Sequence, residues 1–255
     1  MRPGDSIFVI LRPRSELLRA ACSWAGESYP FLPLEPQGAA YRVVLPVALE
    51  TRAGEARATV YWKYADGRMG RETLAVEVAE RTFGVQRLRL SAQQQRTYTT
   101  PEARRERELI GAALARTTET PLWQGSFLMP VEGRISTEFG LQRYINDRLA
   151  SRHRGLDIAA PEGTPVLAAA DGVVSLADDS FILHGQTIVL DHGHGVSTLY
   201  LHLSGIAVRP GEHVAQGQVI GRVGATGVAT GPHLHYSVYV HRVPVDPHFW
   251  SALAP

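Results

Sequence analysis

Residues 231–240 of the chain run Gly231-Pro232-His233-Leu234-His235-Tyr236-Ser237-Val238-Tyr239-Val240. Its side chains alternate without a break, the period of a β-strand. Leu234, Tyr236, Val238 and Val240 share one face and are expected in the core. His233, His235, Ser237 and Tyr239 share the other. Two imidazoles at i and i+2 therefore point into the same space. Such a pair suits a metal ligand beside a group that works on bound water or substrate.

Other segments extend the pattern. Thr198-Leu199-Tyr200-Leu201-His202-Leu203 alternates in the same way, with Leu199, Leu201 and Leu203 expected toward the core and Thr198, Tyr200 and His202 away from it. In His153-Arg154-Gly155-Leu156-Asp157 the two polar residues stand four apart, which on a straight strand is about 13 Å. Side chains that share one metal at ~2 Å cannot be so separated, so the segment needs a kink, and Gly155 can supply one. All 10 histidines lie at or after His153, which concentrates imidazole chemistry in the second half of the chain. His192-Gly193-His194-Gly195 has His-x-His spacing but falls between two strand runs and reads as a hairpin turn. His184, His213, His241 and His248 have no partner at useful spacing and read as surface or turn residues.

The fold class expected is mainly β, in three parts. Residues 1–97 form an N-terminal β-sandwich of immunoglobulin-like type, with Ala58–Tyr64 and Thr73–Val78 flanking the turn Ala65-Asp66-Gly67 and with Tyr41–Leu49 and Val85–Leu90 as further strands. Residues 98–120 form a linker helix: Thr100 can cap it, Pro101 suits its first position, and Leu109, Ile110, Ala113 and Leu114 recur at helical spacing. The charged run Arg104–Glu108 reads as its solvated face. Residues 121–255 form an antiparallel β-sheet or barrel-like domain. Within it, 161–174 and 209–221 read as two versions of one hairpin unit.

Composition removes several classes. With 44% hydrophobic and 20% charged residues the chain can bury a core. A formal net charge of +1 gives no reason to expect a nucleic-acid partner. Cys22 is the single cysteine, which excludes an internal disulfide and a Cys-rich zinc site. No stretch approaches the ~18 apolar residues of a membrane span.

Several motifs, in order, resemble peptidase family M23, the lysostaphin-like or LytM-like zinc endopeptidases of peptidoglycan. They are Phe139-Gly140, His153-Arg154-Gly155-Leu156-Asp157-Ile158-Ala159, Tyr200-Leu201-His202-Leu203, Gly224-Ala225-Thr226-Gly227 and Gly231-Pro232-His233-Leu234-His235-Tyr236. The resemblance covers about residues 126–247. It implies that His153, Asp157 and His235 are zinc ligands and that His202 and His233 are the non-ligand catalytic histidines, without assigning which is the base. Arg143–Arg152 is a variable insertion in which Asn146 stands where an upstream Asn can occupy the open zinc position in latent members. The implied function is zinc-dependent hydrolysis of peptidoglycan cross-link peptides outside the cytoplasm, with the export signal absent from this chain. The alternative is a non-catalytic relative that binds the wall or activates other hydrolases. The complete ligand set favours the enzyme, and three ligands with two spare histidines favour catalysis over a closed structural site.

Overall fold

The computed structural model describes residues 1–35 and 38–254. The chain is mainly β with antiparallel sheets. In the N-terminal part, Glu27–Pro30, Leu17–Trp24, Gly54–Tyr64 and Met69–Val78 form a four-stranded sheet in that order. Ser6–Leu11, Tyr41–Pro46 and Leu32–Pro33 form a second. Cys22, Trp24 and Val60 from the first sheet meet Ile7, Val43 and Leu45 from the second in one apolar core. The hairpin expected at Ala65-Asp66-Gly67 forms, with Gly67 at φ +87°.

Val85–Leu88, expected with this sandwich, belongs elsewhere. It pairs in parallel with Gln142–Ile145, which pairs in turn with Arg148–Arg152. The insertion at 143–152 thus gives the N-terminal segment a strand to bind. Phe8 also packs against Trp123 and Trp250, with ring centroids 6.2 and 5.6 Å apart, which joins the two halves through an aromatic cluster.

The C-terminal half is a ten-stranded sheet. Its central path runs Gln186–Gly193, Val196–Ile206, His233–Val240 and Leu156–Ala159. The two suspected hairpin units do not close on themselves. Pro165–Leu167 pairs with Val219–Val223, and Gly172–Asp178 pairs with His213–Val214, so each unit completes the other.

Pro101–Ala113 is a helix, with Thr100 accepting from the Ala103 amide and Pro101 in the first turn. A 13-residue helix is marginal alone. Ile110 and Leu114 bury against Leu199, Leu201 and Tyr239, which supplies roughly 1.5–3 kcal/mol per side chain. The helix therefore covers the sheet face that carries His235. Its charged run is not wholly solvated: Glu106 is buried and its carboxylate accepts from the amides of Ile182, Leu183 and His184 and from His184 Nδ1. Ala103, Glu106, Ile110 and Ala113 form one buried stripe. Among the described residues, no helix is long and apolar enough to cross a membrane.

The register corrects the facing of Thr198–Leu201, while Leu203, past a break in register, lies in the main core as expected. Residues opposite each other in an antiparallel pair share a face. Leu201 is opposite His235 and Leu199 opposite Ser237, whereas Tyr200 is opposite Tyr236. Tyr200 thus lies in the main core, and Leu199 and Leu201 lie under the helix. Both sets are buried, so alternation separated the faces but could not say which one the main core takes.

Candidate metal centre and groove

Asp157 and His235 are directly opposite on neighbouring strands and so project from one face. His153 precedes the strand Leu156–Ala159, and the chain bends at Gly155, as the spacing required. The glycine serves a close approach: a Cβ there would sit 2.3 Å from Ser237 Oγ and from the Tyr236 carbonyl oxygen. His153 is further tied to the Phe139-Gly140 corner. Its amide donates to Leu141 O at 2.8 Å, and its carbonyl accepts from Gly140 N at 2.9 Å.

These three side chains converge. His153 Nε2 lies 2.9 Å from Asp157 Oδ1 and 3.1 Å from His235 Nδ1, and His235 Nδ1 lies 2.7 Å from the same carboxylate oxygen. The surroundings set the tautomers. A carbonyl only accepts, so His153 Nδ1 donates to Glu138 O at 2.8 Å, leaving Nε2 with its lone pair. Ser237 Oγ sits 2.9 Å from His235 Nε2 and can hold a proton there, which leaves Nδ1 free. Two imidazole nitrogens and one carboxylate oxygen thus aim lone pairs at one buried point, and no single proton satisfies all three. The donor set and its convergence fit zinc, with a position left over for a further ligand.

Burial alone would raise the Asp157 pKa, but the two imidazoles set against the carboxylate outweigh it and hold the carboxyl well below the usual range. Its second oxygen accepts from Arg143 at 2.9 Å. Arg143 is itself held by Gln86 Oε1 at 2.7 Å, and Gln86 donates to Thr137 at 3.0 Å. A residue of the N-terminal segment therefore orients the arginine behind Asp157. Nothing in the spacing of Gln86 or Arg143 announced this.

His202 and His233 stand beside the cluster, with ring centroids 4.9 Å apart and His202 6.4 Å from His235. His202 Nδ1 donates to Thr226 O at 2.9 Å and His233 Nδ1 donates to Gly231 O at 2.8 Å, so both leave Nε2 free. Burial, followed by the neighbouring His235 and His233, pushes the His202 pKa down to about 3. Strict alternation would place His202 with Tyr200 in the main core. Its φ of +64°, at a break in register, turns it to the His235 face instead. Such a conformation in a non-glycine residue costs on the order of 1–3 kcal/mol.

The other polar candidates lie apart from the cluster. Asn146 accepts from Leu90 N and donates to Leu90 O, both at 3.0 Å, so its amide is occupied there and does not cover the metal position. His192 and His194 do flank a hairpin turn but are buried, His192 between Asp171 O and Thr198 Oγ1. His184, expected at the surface, is half-buried against Glu106. His213 and His248 are exposed, and His241 sits in a turn against Tyr29.

The sequence model of Peptidase family M23 matches residues 151–247. The DD-carboxypeptidase/endopeptidase Mpg of Neisseria meningitidis serogroup B is 44% identical over 114 residues, 45% of this chain and 26% of that protein. The peptidoglycan DD-endopeptidase ShyA of Vibrio cholerae is 44% identical over 115 residues, 44% of this chain and 26% of that protein. The chain thus spans about a quarter of the length of these curated relatives. A crystal structure from Pseudomonas aeruginosa assigned to peptidase M23 superposes with a TM-score of 0.69 at 29% identity, covering 99% of this chain and 95% of that one. The segment that matches Peptidase family M23, residues 151–247, contains His153, Asp157, His202, His233 and His235.

Proposed function

We propose that this chain is a zinc-dependent endopeptidase that hydrolyses the peptide cross-links of bacterial peptidoglycan and acts outside the cytoplasm. The observation that carries the reading is the convergence of His153 Nε2, Asp157 Oδ1 and His235 Nδ1 beside two histidines whose Nδ1 atoms are held by backbone carbonyls and whose Nε2 atoms have no hydrogen-bond partner among the described residues. His153, Asp157 and His235 would hold the zinc. When bound, zinc supplies a Lewis acid that polarises a carbonyl and brings the pKa of water toward 7.

The chain's own groups do the rest. Arg143 fixes Asp157 in place through its second oxygen, and Ser237 and Glu138 O keep both imidazole ligands in the ligating tautomer. One of His202 and His233 accepts the proton of the attacking water through Nε2. The other, when it carries a proton on Nε2, donates to the carbonyl oxygen and stabilises the charge that grows there. Among the described residues, Asp157 is the only carboxylate lining the cavities beside the cluster, and it is committed to the metal cluster. Glycoside hydrolysis ordinarily uses two carboxylates across the bond, so this site favours peptide over glycan cleavage.

The test is mass spectrometry of purified sacculi digested with the zinc-loaded full chain. Release of uncross-linked muropeptides with intact glycan is the expected result. Cut glycan strands, or no products from several wall types, would overturn the reading.

A further inference from the structure

Two cavities meet at the candidate centre, sharing His202, His235 and Arg143. They differ in charge. The one toward the strand Val85–Leu88 has a volume of about 340 Å³, and its only Arg, Lys, Asp or Glu residues are Arg143 and Asp157, which are bonded to each other. The one under the helix Pro101–Ala113 has a volume of about 510 Å³, an apolar floor that includes Leu199, Leu201 and Tyr239, and no Asp or Glu. It has five arginines.

Two of the five have structural partners: Arg143 on Asp157, and Arg152 on Gly140 O and over the Phe83 ring. Arg107, Arg154 and Arg242 remain, all exposed. Arg107 donates to Tyr98 O at 3.1 Å and makes no ion pair among the described residues. Arg154 and Arg242 make no hydrogen bond or ion pair among them. Other exposed arginines are mixed, Arg57, Arg68, Arg89 and Arg104 having a carboxylate within 3.2 Å while Arg12, Arg52 and Arg105 have no ion pair among the described residues, so what sets these three apart is their gathering at one cavity that has no acid. With 25 acidic residues against 26 basic ones, acids are not scarce. Gathering three unpaired cations at the mouth of one cavity costs mutual repulsion, which an anionic ligand would relieve.

We infer that Arg107, Arg154 and Arg242 select substrates by charge: the arm of the peptide that lies under the helix carries free carboxylates, and the arm in the opposite cavity is uncharged or zwitterionic. Arginine suits this task because its fork meets a carboxylate with two hydrogen bonds. The apolar floor takes small side chains such as methyl groups, and the arginines fix the register of the chain across the metal centre. The inference rests on the peptidase reading for the identity of the ligand, but not for the existence of the anion-selective mouth.

The test is calorimetric binding of the pentapeptide L-Ala-γ-D-Glu-L-Lys-D-Ala-D-Ala to the full chain. A second titration uses the same peptide with its glutamyl α-carboxyl and C-terminus amidated. The chain carries His233→Ala in both titrations to suppress cleavage. The free acid is expected to bind at least ~10-fold more tightly than the amide, with an affinity that falls as salt rises. Arg107→Gln combined with Arg242→Gln should remove that preference, while Arg57→Gln, on the distant sandwich, leaves it intact. Both variants change exposed side chains, so folding is preserved. Equal binding of acid and amide, or a preference that survives the double substitution, would overturn the inference. If sacculi are not digested but the charge preference holds, the peptidase reading fails and the anion-selective mouth stands.

Discussion

Substituting Glu106 tests whether the helix over the groove is clamped by one buried carboxylate. Glu106→Ala would strand four donors: the amides of Ile182, Leu183 and His184, and His184 Nδ1. Breaking a buried, fully bonded charged group costs about 3–5 kcal/mol when its partners are left behind. For a chain of this size each kcal/mol corresponds to about 2–4 °C in Tm, so thermal unfolding followed by circular dichroism should shift down by ~6–20 °C. Glu106→Gln keeps the size and one acceptor and should lose about half as much. The damage should also be local. Amide exchange at 182–184 should accelerate in both variants well before exchange in the central strands changes. A Tm drop below ~3 °C in Glu106→Ala, with unchanged exchange at 182–184, would show that the carboxylate is not holding this wall of the groove.

Removing the paired histidines separates binding from chemistry: His202→Ala and His233→Ala should each retain zinc and lose ~10²-fold or more in turnover, and near-normal turnover in both would mean their role is misassigned. Stability should fall in mild acid through His192, whose burial pushes its pKa down to about 4. The unfolded chain, with His near 6.5, takes up the proton first, so stability is lost as the pH falls from about 6.5 toward 4. At pH 5 the loss is about 2 kcal/mol from this residue. Urea midpoints at pH 7.5 and pH 5 should therefore differ less in His192→Asn than in the parent; equal differences would contradict the buried neutral histidine.

Much of the site was legible because alternation and spacing are backbone properties. The strand His233–Val240 had its faces read correctly from period alone, and the bend at Gly155 followed from the distance between His153 and Asp157. What escaped falls into three physical kinds. Leu199 and Leu201 on one face and Thr198 and Tyr200 on the other are all buried, so apolar character could not say which pair faced the helix. The turn of His202 to the site depends on a left-handed residue that is not glycine, for which the sequence has no marker. The carbonyls that set the tautomers, Glu138 O, Thr226 O and Gly231 O, carry no side-chain signature. Glu106 did leave a signal. It falls in the same stripe as Ala103, Ile110 and Ala113, where a carboxylate must find buried donors.

In the proposed function His153, Asp157 and His235 hold one zinc ion. Elemental analysis of the purified full chain measures this directly, alongside His235→Ala and His202→Ala. One zinc per chain is predicted in the parent and in His202→Ala, and essentially none in His235→Ala. Full zinc in His235→Ala, or none in the parent after zinc loading, would contradict the account.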